Sequence, residues 1–198
     1  MILPAVATSA AGPKVPYTDR AVAGSIGLCN RAGQQVTSGS ITARPFAWRA
    51  VSTQPAPAPY DDAGRTATLY AYQPRRGLTA AAWSGTVLTA SSQYSNPAHP
   101  MAAATASDES LRDFLAIFKP QWNGLLQLRL YLGTNDAPPY TAHYPALTIK
   151  VTGQRWQAVD SRPVDCTSGT ATSLEAIAQS TPSGQGASPR PVSKGNRT

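Results

Sequence analysis

Two cysteines, Cys29 and Cys166, and two histidines, His99 and His143, supply all the thiol and imidazole chemistry in the 198 residues. The cysteines lie near the two ends of a strand-rich stretch, so their simplest use is a disulfide tying the first strand to the last. Closing the loop from residue 29 to residue 166 would contribute about 5 kcal/mol by the chain-entropy argument. The competing use is two reduced thiols, one buried and one nucleophilic. A Cys hydrolase needs a free thiol with a His at hand, so a bridge removes that class.

The remaining catalytic inventory is thin. His99, in Asn96-Pro97-Ala98-His99-Pro100, and His143, in Tyr140-Thr141-Ala142-His143-Tyr144, both fall in loop-like contexts. No G-x-S-x-G, H-E-x-x-H, Walker loop or C-x-x-C occurs. Asp61 and Asp62 could meet a hard cation through backbone oxygens, but a solvated turn before the next strand explains them more simply. Of the ten acids, Asp108, Glu109 and Asp113 belong to a helix start and Glu175 lies near the tail, which leaves little for paired-carboxylate hydrolysis. No catalytic residue, cofactor or metal site is expected. A hydrolase would need a site assembled only in the fold.

Aromatic residues are the better sign of binding. Trp83, before Ser84-Gly85, and Trp122, before Asn123-Gly124, stand at turns where their rings would be exposed to a sugar or a protein partner. Tyr94 and Tyr140 join them as candidate ligand residues, with His99 and Met101 from an unusually apolar loop, residues 97–106. Tyr60, Tyr70, Tyr72, Tyr131 and Tyr144 extend the aromatic set, whereas Trp48 and Trp156 lie within predicted strands and read as core. The Pro-rich residues 54–60 predict a rigid loop suited to a binding surface or a plain crossover.

These groups must be positioned by strands. Leu126-Gln127-Leu128-Arg129-Leu130-Tyr131-Leu132 alternates strictly, which places every leucine on one face. Residues 147–152 and 66–72 repeat the pattern, and weaker strands are expected at 25–29, 45–51, 85–90, 156–159 and 164–166. One helix is expected after Ser107-Asp108-Glu109-Ser110, because Leu111, Phe114, Leu115 and Phe118 follow at i, i+3, i+4 and i+7 before Pro120. Residues 170–178 suit either an edge strand or a helix. The pattern as a whole predicts an all-β, immunoglobulin-like antiparallel β-sandwich with one short crossover helix.

The chain divides into residues 1–14, 15–179 and 180–198. The first piece, with Ala5-Val6-Ala7 spaced like a signal-peptide cleavage site, reads as a remnant of an export signal. The last is Pro/Ser/Gly-rich and reads as a disordered tail or spacer. The composition is 41% hydrophobic but only 14% charged, against roughly 25% in ordinary soluble domains. The net charge of +7 includes Arg190, Lys194 and Arg197 in the tail; the remainder holds 14 basic against 10 acidic residues, a net +4. Basic residues are scattered and only Arg75-Arg76 are adjacent, so nucleic-acid binding is not expected. No stretch reaches the length of a membrane span.

Residues 25–30, 46–51, 67–74 and 96–101 resemble a group of uncharacterised exported or surface β-sandwich proteins of high-GC Gram-positive bacteria, over about residues 15–177. The resemblance implies export and a surface location and transfers no catalytic residue. The expectation is therefore a secreted or cell-surface module without enzymatic activity, acting in protein interaction, adhesion or envelope assembly. The alternative is a carbohydrate-binding module for wall or environmental glycans. Its partner would be a protein or glycan of the cell envelope.

Overall fold

The structure is a computed structural model that describes residues 15–180. Expectations for the export remnant and for the tail beyond Ser180 lie outside the described residues.

Thirteen strands build an all-β, sandwich-like fold: β1 Val22–Cys29, β2 Gln35–Val36, β3 Ser38–Ser40, β4 Arg49–Ser52, β5 Thr66–Gln73, β6 Ser84–Val87, β7 Ser92–Tyr94, β8 Met101–Ala103, β9 Leu125–Thr134, β10 Ala137–Tyr140, β11 Tyr144–Thr152, β12 Arg155–Ala158 and β13 Ala171–Ser173. The main path runs β13-β7-β5-β9-β11-β1-β4-β8. Its pairs are antiparallel except β1 with β11, which run parallel. The sheet curls until its ends approach, and Ser92 on β7 clasps β8 by donating its hydroxyl to the Ala103 carbonyl (2.8 Å) and accepting the Ala103 N–H (2.9 Å). This closure satisfies groups that an open edge would leave to solvent, and it is the barrel-like departure from a plain sandwich.

Strand β9 is the central element. Leu126, Leu128 and Leu130 are fully buried against Ile26, Leu28, Val51, Leu69, Met101 and Ile149. Helix α1, Leu111–Ile117, starts at Ser110, whose hydroxyl accepts from Asp113 N while the Asp113 carboxylate accepts from Ser110 N, a reciprocal cap. It buries Leu111 and Phe114 in the same core. A second helix, α2 Leu174–Ser180, follows β13 directly, so residues 170–178 form both the edge strand and the helix that their composition suited separately.

The disulfide Cys29–Cys166 is formed, with Cα atoms 6.0 Å apart. Cys166 lies in a turn and residues 164–166 form no strand. The expected neighbourhood of the two segments nevertheless holds, because Val164 packs so tightly over Gly27 that a Cβ there would sit 2.1 Å from it. The bridge ties β1 to a loop, and β13 comes after it. No helix among the described residues is long and apolar enough to cross a membrane.

Candidate functional site

Period two puts Gln127, Arg129 and Tyr131 on the side of β9 opposite the leucines. The register then sets Tyr70 of β5 and Ala146 of β11 beside Arg129, with Tyr72 beside Gln127. The small Ala146 leaves room for a guanidinium, and the diagonal neighbours Tyr72 and Tyr144 close over it. Its carbon lies 4.0 Å from the Tyr72 ring centre, 4.7 Å from Tyr144 and 5.4 Å from Trp83.

The guanidinium is held in one orientation. Nε donates to Gln127 Oε1 (2.6 Å), Nη1 to the Tyr131 hydroxyl (3.2 Å) and Nη2 to the Ala80 carbonyl (2.9 Å). Its counter-ion is Asp19, whose Oδ2 is 3.4 Å from Nη2 and accepts the Tyr144 hydroxyl at 2.7 Å. The two charged side chains are only 3% and 5% exposed. Burying a charge pair so deeply is offset only when both ions keep their hydrogen bonds, as these do. Burial, and then the hydrogen bond to the Asp19 carboxylate, push the Tyr144 hydroxyl well above its ordinary pKa. Burial followed by the neighbouring Tyr131 does the same to Tyr72. Both phenols remain protonated donors across the physiological range.

Above this cluster opens a cleft of about 770 Å³ floored by Arg129, Tyr131, Tyr144 and Tyr72. Residues 15–21 cross its edge as a strap. Tyr17 lies edge-on to Trp83 (4.9 Å between ring centres) and tilted against Trp122 (5.8 Å), and its hydroxyl bonds Thr148 Oγ1 at 3.0 Å. Burial pushes the Tyr17 phenol up to about 12. Trp122 stands where it does because the turn Trp122-Asn123-Gly124-Leu125 closes on itself, with Asn123 (φ 53°) and Gly124 (φ 77°) both left-handed. A side chain at Gly124 would also strike the Val151 carbonyl at 2.5 Å.

The structure redistributes the residues singled out above. Trp83 and Trp122 meet at the strap, but Trp83 is only 5% exposed because Tyr17 covers it, so it is no open platform. Tyr94 and Met101 are 2% and 1% exposed and belong to the core; the apolar loop around Met101 packs inward as β8. Tyr140 lies tilted against Tyr60, with ring centres 5.2 Å apart, and lines a separate cavity with His143. His99 is exposed, with Nδ1 3.4 Å from the Ser52 carbonyl. Neither histidine lines the Arg129 cleft. The backbone carbonyls of Asp61 and Asp62 are occupied by Arg65, which explains that pair as a turn. Among the described residues no group of three or more His, Cys, Asp or Glu is placed to hold a metal.

Arg129 and Asp19 were not anticipated. The signal lay in Gln127-x-Arg129-x-Tyr131, a polar face whose bulk is too large and too aromatic for a plain solvated side, opposite Tyr70-x-Tyr72. No protein-family model matches the chain, and neither a curated protein nor a solved structure does.

Proposed function

We propose that this chain is a secreted or cell-surface module without enzymatic activity that engages a protein of the envelope through the Arg129 cleft. The observation that carries this reading is the composition of the site: one oriented arginine enclosed by Tyr72, Tyr144 and Trp83 at the floor of a concavity. Arg, Tyr and Trp are the residue types that dominate protein-binding hot spots, especially where they are packed and preorganised. The disulfide supports an oxidising destination, and so does the resemblance to exported proteins.

A second reading, a glycan site, is favoured by the hydroxyls around the same cleft, those of Thr18, Thr79, Tyr131, Thr141 and Tyr144. Asp19 cancels the arginine charge, which suits a neutral polyol. Thr141 is exposed on the cleft wall, so Thr141→Trp fills the concavity without touching the core. Wild-type and T141W chains are passed over purified envelope proteins and a glycan array. Retention of a protein by the wild type, lost in T141W, supports the first reading. T141W-sensitive glycan binding replaces it with the second, and identical behaviour of both chains overturns the site.

A further inference from the structure

The strap itself shows what the groove accepts. Along residues 15–21 Val15, Tyr17, Asp19 and Ala21 are half-buried while Pro16, Thr18 and Arg20 are exposed, on a backbone that bends at Pro16-Tyr17 and turns after Asp19, where Val22 N donates to the Asp19 carbonyl at 3.3 Å. Yet among the described residues the backbone of residues 15–18 makes no hydrogen bond to the sheet; backbone pairing begins where Tyr144 N donates to the Ala21 carbonyl at 3.0 Å. Two side chains hold the segment: Tyr17, against Trp83, Trp122 and Thr148, and Asp19, against Arg129 and Tyr144.

Much of the receiving surface comes from outside the strap. Besides Asp19, Arg129 bonds Gln127, Tyr131 and the Ala80 carbonyl, none of which belongs to residues 15–21. Space lies along the strap as well: Thr18 and Asp19 wall both the main cleft and a second cavity of about 320 Å³, lined by Ser25, Gln127, Thr148 and Asp160. One polar residue lining that second cavity, Ser25, has a buried Oγ with no hydrogen-bond partner, and Trp83 Nε1, on the ring against Tyr17, has none either. Such atoms are costly unless something bonds them.

We infer that residues 15–21 occupy a peptide-binding groove, and that its partner is a peptide segment presenting an aromatic ring and, two residues later, a carboxylate. This rests on the protein-interaction reading of the same site and names the partner's chemistry. Tyr17 and Asp19 are then a tethered copy of the ligand, and a partner gains the groove by displacing them.

The probe is a fluorescein-labelled peptide of sequence Val-Pro-Tyr-Thr-Asp-Arg-Ala, the strap supplied in trans. A tethered competitor acts at an effective concentration on the order of millimolar. Weakening it by Tyr17→Ala, which leaves the Asp19–Arg129 pair intact, should tighten peptide binding at least about tenfold over the wild type. Replacing the peptide's tyrosine by alanine or its aspartate by asparagine should remove that gain. In the unmodified chain, excess peptide should raise amide hydrogen exchange at the end of the strap, at Ala21 and Val22, whose N–H groups bond Asp19, a readout that survives if the variant does not fold. Equal binding of native and scrambled peptides, or unchanged exchange at saturating peptide, overturns the inference. Should the peptide fail while T141W still abolishes protein capture, the partner chemistry is wrong and the interaction reading stands; loss of both removes the reading itself.

Discussion

The two faces of β9 are equally dry and differently built. On one, Leu126, Leu128 and Leu130 are 0% exposed among hydrocarbon; on the other, Gln127 and Arg129 are 2% exposed among tyrosines, with Asp19 as counter-ion. The leucine face is stabilised by removal of apolar area from water and is indifferent to orientation. The arginine face depends on every donor finding its acceptor, because an unpaired charge at that depth costs several kcal/mol. The first face makes the fold stable. The second fixes one geometry and floors the main cleft.

Each face can be perturbed without touching the other. The largest effect is expected from a change that touches neither face: Cys29→Ser with Cys166→Ser removes a cross-link spanning 137 residues and should lower stability by about 5 kcal/mol in urea denaturation, displacing both faces together. Arg129→Ala should cost about 4 kcal/mol, because it strands Asp19. Adding Asp19→Ala to the Arg129→Ala chain should return part of that loss, a double-mutant cycle that shows the pair contributing orientation more than net stability. Leu128→Ala should cost about 3 kcal/mol, with no rescue from any neighbour. If Leu128→Ala and Arg129→Ala respond alike to second-site changes, the distinction between the faces is lost.

Alkaline titration sharpens it further. Tyr17 has its pKa raised from 10.0 to about 12 by burial. The folded state therefore holds its proton where the unfolded chain has released it, so this contribution is complete below pH 10 and is lost as pH rises toward 12. The loss is on the order of 2 kcal/mol, and Tyr17→Phe should abolish that part of the pH dependence. The leucine face should be insensitive to the same scan. The smallest effect is expected from Tyr17→Phe at neutral pH, about 1 kcal/mol for the hydrogen bond to Thr148 Oγ1, with the Trp83 and Trp122 contacts kept.

Much of this architecture was legible in the residues. Leu126, Leu128, Leu130 and Leu132 announced β9 by strict alternation, Ser110 with Phe114 announced α1, and the two cysteines announced their bridge. The strand expected at residues 164–166 failed because those residues pack across β1 through Val164 and the disulfide without forming a ladder. The alternation put Gln127, Arg129 and Tyr131 opposite the leucines but carried no sign that this face is buried as well. Trp83 read as exposed because it precedes a turn, and Tyr17 covers it from 66 positions away.

By itself the sequence determined what periodicity, capping and chemistry can encode locally: which residues share a face, where a helix must begin, and which two thiols can meet. The tertiary structure decided what lies over each face. Burial of Arg129, the pairing with Asp19, the shielding of Trp83 and the curling of β8 toward β7 all depend on segments distant along the chain. A two-residue period specifies the direction in which a side chain points, and only packing supplies what it meets there.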